Sequence, residues 1–384
     1  MNNSFHGLLP AWIATTIEKF SYSAKKEESK LVVQKSVAVP ILDPARFVAA
    51  AMVVLYHYCA FFRIATPDGT ARPYPQLLPI AQYGYLGVQL FFMISGFVIF
   101  RSASKYTASG FISARIRRLY PAFLVCCCLT WIVVTYSKVR PLSPFTFLYG
   151  LTMFNGVIDT WRGAIPVYVD GAYWTLTVEW KFYMLVLLLI TLRRRVSLEF
   201  FLWAWLCVSV VYLAHPLFWL ESWLLAPWAP YFVAGAAAHL IQQRGWQRQL
   251  ALLGGASLSI SVWHTVAQFD SVSRIFGLPG NHLICAGIIV AMYIFMFGPV
   301  ARRMPLSPTN SRVWILAGAV SYPVYLLHEG IGGVALDFWW TPTNRWMFLV
   351  VAFTVVLLSA WFIHEFVERK IWALLAMRTR YLRA

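Results

Sequence analysis

The stretch Ile41-Leu-Asp-Pro-Ala-Arg-Phe-Val-Ala-Ala-Ala-Met-Val-Val-Leu-Tyr-His57 sets an arginine and a histidine inside an otherwise apolar run. At ~100° per residue, the step from Arg46 to His57 brings the histidine back to within about 20° of the arginine's direction, ~16 Å further along a helix. Both side chains therefore line one stripe. The run continues to Phe62 with only His57 interrupting its apolar character. An ionisable group in lipid is costly enough to mark a functional position, the plain alternative being a histidine satisfied by a hydrogen bond to a neighbouring helix.

Composition places that stripe in a membrane. With 384 residues, 60% of them hydrophobic and only 12% charged, and a mean hydropathy of +0.63, the chain is too apolar for an ordinary soluble globule. A net charge of +17 and a pI near 9.8 would suit a nucleic-acid binder. The basic residues, however, fall in short clusters between apolar runs rather than on one domain, so membrane topology accounts for them and no nucleic-acid partner is expected. Of six cysteines, Cys126, Cys127 and Cys128 are consecutive within an apolar segment, with no ligand spacing, and read as small packing residues.

Runs long enough to cross a ~30 Å hydrocarbon core occur at about 44–62, 84–101, 120–137, 173–192, 199–220, 223–241, 250–268, 282–301, 313–334 and 346–365. The expected fold is all-α and polytopic, with about ten transmembrane helices. Phe145–Val157 is short and contains Asn155-Gly156, which reads as a re-entrant or surface segment and leaves an eleventh crossing open. Leu8–Ile17 is too short to span and lacks the features of a signal peptide. Residues 1–40 are thus expected to be a cytoplasmic tail, 41–370 a transmembrane domain and 371–384 a basic cytoplasmic tail.

Positive charge tests the count. With the N-terminus inside, the inner segments hold Arg101, Lys105, Arg115, Arg117 and Arg118, then Arg193–Arg195, Arg244 and Arg248, then Arg302, Arg303 and Arg312, and finally Arg369, Lys370, Arg378, Arg380 and Arg383. With Arg46 and the tail lysines that makes about 24 basic residues inside against about seven outside, which favours ten crossings with both termini cytoplasmic.

Topology then assigns depth. Arg46 is expected near the cytoplasmic face and His57 in the outer half of the bilayer. Glu179 lies about two turns into the fourth span, ~9 Å along it, and shares His57's half. Among Trp174, Trp180 and Tyr183 it must be paired or protonated, and Lys181, two positions away, points to another face. The second span, Gly84 to Phe97, carries small residues suited mainly to close helix packing. Its Ser95 would be a nucleophile only with a base beside it. Arg115 and Arg118, three apart, share a face that suits gripping a phosphorylated ligand, although inside-positive charge alone explains most such clusters. His328-Glu329 places a further ionisable pair in the outer half of the ninth span. His364 and Glu368, four apart, read as a helix-end hydrogen bond before a shared metal or proton, and no metal site is expected.

Taken together, these motifs resemble the acyltransferase-3 family of membrane O-acyltransferases. The matching residues are Leu42-Asp43 with Arg46 and His57, Gly87-Val88 through Phe91-Phe92 to Ser95-Gly96-Phe97, and Arg115 with Arg118 before Pro121. Trp174-Thr-Leu176 with Glu179, Phe182 and Tyr183, then Ser321-Tyr322 with Tyr325-Leu326 and His328, and finally Glu368 complete the set, in family order from about 41 to 370. Departures are Phe47 for the usual glycine, Gln89 for an aspartate, Thr175 for a serine and Lys370 for a proline; Gln89 leaves an acidic role at its position in doubt. Members often carry an added esterase-like domain, and a stand-alone form is expected here.

The resemblance implies an acyl-CoA donor, acetyl-CoA in the first place, and an inner (plasma) membrane location. The implied acceptor is a hydroxyl on a cell-surface or secreted glycan or a lipid-linked saccharide, though some relatives acylate small natural products such as macrolides. It further implies that Arg115 and Arg118 bind the donor's phosphates, that Ser95 and Arg46 lie on the pantetheine route, and that Arg46 polarises the thioester or holds phosphate. His57 would then be general base or acyl carrier, with Glu179 orienting it. Tyr183, His328 and Trp174 are the residues expected around the acceptor. The rival classes are a proton-coupled carrier using His57, Glu179 and His328 as a relay, and a membrane sensor or scaffold. Carriers often show repeated halves, and no repeat is visible.

Overall fold

In hydrocarbon a chain must satisfy its own backbone N–H and C=O groups, and helix does so within each segment. Helix accounts for nearly all regular structure here. The structure, a computed structural model, describes residues 39–374 apart from 67–68, 104, 139, 193–194, 278, 306–310 and 373. The Leu8–Ile17 stretch, Arg193, Arg194 and the terminal Arg378, Arg380 and Arg383 lie outside the described residues.

Helix α1 (Leu42–Tyr56) runs directly into a π-helical turn, His57–Phe61. A small antiparallel ribbon follows, β1 (Ile64–Thr66) pairing with β2 (Gly69–Ala71). After α2 (Leu78–Ala81) and a 3₁₀ turn at Gly84–Leu86 come α3 (Gly87–Ala103) and α4 (Ala108–Tyr136). Two short helices, α5 (Pro144–Gly150) and α6 (Asn155–Trp161), occupy the stretch expected to be re-entrant or superficial. The second half contains α7 (Trp174–Leu192), α8 (Leu198–Ala214), α9 (Phe218–Ser222), α10 (Ala229–Arg244) and α11 (Arg248–Phe276). It ends with α12 (His282–Phe295, continued by a π-helical turn Met296–Val300), α13 (Ser311–Trp339) and α14 (Arg345–Ile363, closing in the π-helical turn His364–Glu368).

Local sequence sets several of these starts. Thr107, Ser143, Ser197 and Asn281 each accept a hydrogen bond from a backbone N–H in the first turn of α4, α5, α8 and α12, the usual role of short polar side chains at an N-cap.

Each of the ten expected runs is occupied by a helix. Among the described residues, seven are long and apolar enough to cross a membrane: Leu42–Phe61, Leu78–Ala103, Ala108–Tyr136, Gly171–Leu192, Arg248–Arg274, His282–Val300 and Arg345–Trp372. The remaining three fall short for physical reasons. Helices α8 and α10 have only 17 and 16 residues, and α13, with 29, is interrupted by Ser321, His328 and Glu329.

The core sits around α10, whose residues from Ala229 to Ile241 are all buried. A helix apolar all round belongs inside. It packs most extensively on α3, while α1 packs most extensively on α13. Glycine permits both approaches of α3. A Cβ on Gly235 would lie 1.9 Å from Met93 O and one on Gly96 2.2 Å from Phe232 O, so the two backbones touch reciprocally. At the other flank, a Cβ on Gly87 would lie 2.4 Å from Ala49 O of α1. The small residues of the second span therefore seat it between two helices. Cys126 and Cys127 are buried, and all six cysteines are free thiols.

Candidate active site

His57 is the first residue of the π-helical turn that ends α1. Such turns recur at functional positions because the extra residue re-aims a side chain. The imidazole Nδ1 lies 2.9 Å from Val53 O and 3.1 Å from Nε2 of His328. A carbonyl oxygen only accepts, so Nδ1 of His57 carries the proton. Nδ1 of His328 in turn lies 2.7 Å from Tyr325 O, which fixes its proton there and leaves its Nε2 as an acceptor. Both constraints agree: His57 presents an unprotonated Nε2. That nitrogen stands 3.7 Å from Oε2 of Glu329.

Glu329 is itself anchored at a helix junction. A Cβ on Gly171 would lie 2.1 Å from Oε1 of Glu329, so only glycine leaves room for the carboxylate at that position. The preceding Asp170, fully buried, accepts hydrogen bonds from Ala172 N at 3.0 Å and Gly330 N at 2.8 Å, tying the start of the fourth span to α13. Burial, and then the neighbouring Glu329 carboxylate, push the Asp170 carboxyl above the usual carboxylate range despite those two bonds.

Two cavities meet near this histidine. One, with about 820 Å³ of empty volume, is lined by Arg46, Arg115 and Arg118, with Ser95, Glu179 and Tyr183 among the other walls. Arg46 pairs with Asp43 at 2.9 Å and lies within electrostatic reach of Arg118 and Glu179. Arg115 is buried against the Phe111 ring, with its guanidinium carbon 5.6 Å from the centroid, and its Nε is a buried donor without a hydrogen-bond partner. Buried, unspent donors are what an anion-binding wall requires. The second cavity, about 670 Å³, is lined by His57 with Tyr56, Phe61, Tyr85, Trp174 and Trp228, and by the amides Gln89 and Gln268. Val88 and Tyr325 line both.

This arrangement corrects the pairing expected from depth. Glu179 shares the arginine cavity, where it accepts a hydrogen bond from Tyr183 Oη, and the carboxylate beside His57 is Glu329. Spacing along the chain left undetermined both the level of Glu179 relative to His57 and its direction around α7; it lies within electrostatic reach of Arg46 and lines the arginine cavity. Of the three residues expected around the acceptor, Trp174 lines the histidine cavity and Tyr183 the arginine cavity. His328 lines neither, being fully buried behind His57. The structure brings Arg46, Ser95, Arg115, Arg118 and Glu179 together in one wall set. Lys181 is accounted for separately, donating to Thr160 Oγ1 at 3.2 Å and lying over the Trp223 ring. His364 and Glu368 form a buried hydrogen bond of 2.7 Å, and no group of three or more metal-ligating side chains occurs among the described residues. Sequence reasoning singled out the His328-Glu329 pair but gave Glu329 no role, and it missed Asp170 and Gln268. Glu329 carried a signal, an acid next to a histidine in an apolar helix, and Asp170-Gly171 before a span is an N-cap signature.

The sequence pattern of a known family, described as an acyltransferase domain, matches residues 39–365, which include every residue of both cavities. The chain belongs to the acyltransferase domain family. It is an acyl-transferring enzyme. It is similar to an "O-acetyl transferase" of Shigella phage Sf6, 30% identical over 156 residues, 37% of this chain and 43% of the phage protein, so that match spans less than half of that relative. It is also similar to "Acyltransferase MdmB" of Streptomyces mycarofaciens, 24% identical over 376 residues, covering 89% of this chain and 94% of that one. No solved structure matches this acyltransferase.

Proposed function

We propose that this acyltransferase moves an acyl group, acetyl in the first place, from acyl-CoA to a hydroxyl of a cell-surface or secreted glycan. The supporting observation is the pair of adjoining cavities of opposite character, one walled by Arg46, Arg115 and Arg118 and the other holding the unprotonated Nε2 of His57. Phosphates of the donor sit against the guanidiniums, and the pantetheine arm extends past Val88 and Tyr325. Nε2 takes the acceptor's hydroxyl proton as the oxygen attacks the thioester carbon. The new C–O bond forms, the C–S bond breaks, and the proton passes on to the departing thiolate. Glu329 balances the transient imidazolium, and Val53 O and His328 hold the ring's tautomer. Glu179 acts on the donor side, steadying the arginines.

In the membrane, ten crossings with both termini cytoplasmic would open the arginine cavity toward the cell interior, where acyl-CoA is made, and the histidine cavity toward the outside. An inner (plasma) membrane location follows from the same reading.

The test is transfer of labelled acetyl from acetyl-CoA by the purified protein. His57→Ala is expected to abolish transfer while the protein stays monodisperse and keeps its helical circular dichroism. Wild-type turnover by that variant overturns the assignment.

A further inference from the structure

Resting on that reading, we infer that the histidine cavity takes an uncharged, hydroxyl-bearing ring, a neutral sugar, and that Gln268 and Gln89 select it against acidic sugars. Among the described residues, no Asp, Glu, Lys or Arg lines this cavity. Its walls are Tyr56, Phe61, Tyr85, Trp174 and Trp228, flat faces suited to the C–H faces of a sugar ring. The Trp174 and Trp228 centroids are 5.4 Å apart, a paired aromatic wall. The lining's polar groups are the neutral His57 imidazole, two amides, three tyrosine hydroxyls (Tyr56, Tyr85 and Tyr325) and two indole N–H groups, all of them uncharged.

Those amides are arranged to stay neutral. Gln89, 1% exposed, satisfies both ends when its NH₂ donates to Leu86 O at 3.0 Å and Tyr85 O at 3.1 Å. A carboxylate there would press its oxygens against two carbonyls. With Gln89 so turned, its amide oxygen faces the end of Gln268, half-buried on α11, across 3.5 Å; Gln268 then turns its NH₂ toward Gln89 and keeps its amide oxygen to accept from a ligand hydroxyl. An acidic sugar would bring its carboxylate into a space whose lining, among the described residues, holds no Lys or Arg to pair it, with the Glu329 carboxylate 3.7 Å from Nε2, and an unpaired charge in such surroundings is expensive. Arg72 is within electrostatic reach of Tyr56 but is not part of the lining, and its Nη1 donates to Phe61 O at 3.3 Å.

The experiment compares acceptors for the purified full-length protein in nanodiscs with acetyl-CoA: a neutral alkyl glycoside, the matching alkyl glycuronide, and a glycosylated macrolide with its aglycone. The neutral glycoside is expected to exceed the glycuronide by about 100-fold in kcat/KM. Gln268→Leu is expected to raise the acceptor KM about five- to tenfold with a smaller change in kcat. Gln268→Lys is expected to narrow the gap between the two glycosides about tenfold. Transfer to the glycosylated macrolide but not its aglycone supports a neutral sugar presented on a small molecule, and transfer to the simple glycoside supports a glycan source. Equal use of glycuronide and glycoside, preference for the aglycone, or an unmoved acceptor KM in Gln268→Leu overturns the inference and leaves acyl transfer standing. Failure to release CoA with every acceptor overturns the acyl-transfer reading, and this inference with it.

Discussion

Replacing Glu329 by Gln removes one charge and almost no volume, which matters because the side chain fills the space left by Gly171, where a Cβ would come within 2.1 Å of Oε1. In the proposed reaction His57 becomes cationic only as it takes the acceptor's proton. The carboxylate 3.7 Å from Nε2 then contributes in the transition state and little before it. Two unit charges at that separation interact by about 4 kcal/mol at an effective dielectric near 20. The side chains are only 13% and 14% exposed, so solvent screens them weakly. With the proton about half transferred, roughly half of that energy is at stake, about 2 kcal/mol, or a ~30-fold fall in kcat. Because Glu329 lines neither cavity, the KM values for donor and acceptor are expected to stay within about twofold. Steady-state kinetics of the purified variant read both quantities. A kcat within twofold of wild type would refute the charge-balancing role. So would Glu179→Gln reproducing the same loss with no change in donor KM, since Glu179 stands among the arginines.

Replacing Arg115 and Arg118 together by Ala is expected to raise the KM for acetyl-CoA by about 100-fold, the loss of charge-assisted bonds worth about 3 kcal/mol in all, with the acceptor KM nearly unchanged; equal losses on both substrates would mark the pair as structural. His328→Leu removes the acceptor for His57 Nδ1 but leaves Val53 O in place, so kcat is expected to fall about fivefold, and a tenfold rise in acceptor KM would instead place His328 in contact with substrate. Gly235→Ala would drive a Cβ to 1.9 Å from Met93 O and should part α10 from α3 at a cost of about 1–3 kcal/mol. Its Tm in detergent is expected to drop by several degrees, and an unchanged Tm would refute the close approach of those backbones.

The sequence resolved whatever depends on hydropathy or on spacing along one helix. Each of the ten apolar runs holds a helix, seven of them among the described residues long and apolar enough to cross a membrane; Arg46 lies on α1 and His57 opens the turn that continues it, the two lining adjoining cavities, and Arg115 and Arg118 line one cavity as their three-residue spacing allows. It could not resolve direction around a helix packed on several neighbours. Glu179, expected at His57's depth, lies instead within electrostatic reach of Arg46 and lines the arginine cavity, and no one-dimensional pattern carries its direction around α7. Nor does periodicity announce the π-helical turn at His57–Phe61, because a single inserted residue barely alters an apolar run. Gln268 was invisible for a third reason: an uncharged amide on a long helix gives no signal until the facing Gln89 is in place.

One turn of α13, Tyr325-Leu-Leu-His-Glu329, gathers most of what surrounds the imidazole. The Tyr325 side chain divides the two cavities, held by Thr175 Oγ1 at 3.0 Å and Ala172 O at 3.3 Å, while its backbone oxygen fixes the proton of His328. His328 then accepts from His57, and Glu329 stands across from Nε2. The partition, the tautomer and the counter-charge are thus set by five consecutive residues, and these same polar groups reduce the hydropathy of α13. A helix so polar can stay among apolar neighbours only if its groups are satisfied from outside it. That is the role of Asp170, whose carboxyl receives Gly330 N from the turn beyond, and of the extensive seam with α1 that brings Val53 and His57 to meet it. The segment least like a membrane helix is therefore the one whose packing is most constrained, as expected where the chemistry requires polar groups in an apolar interior.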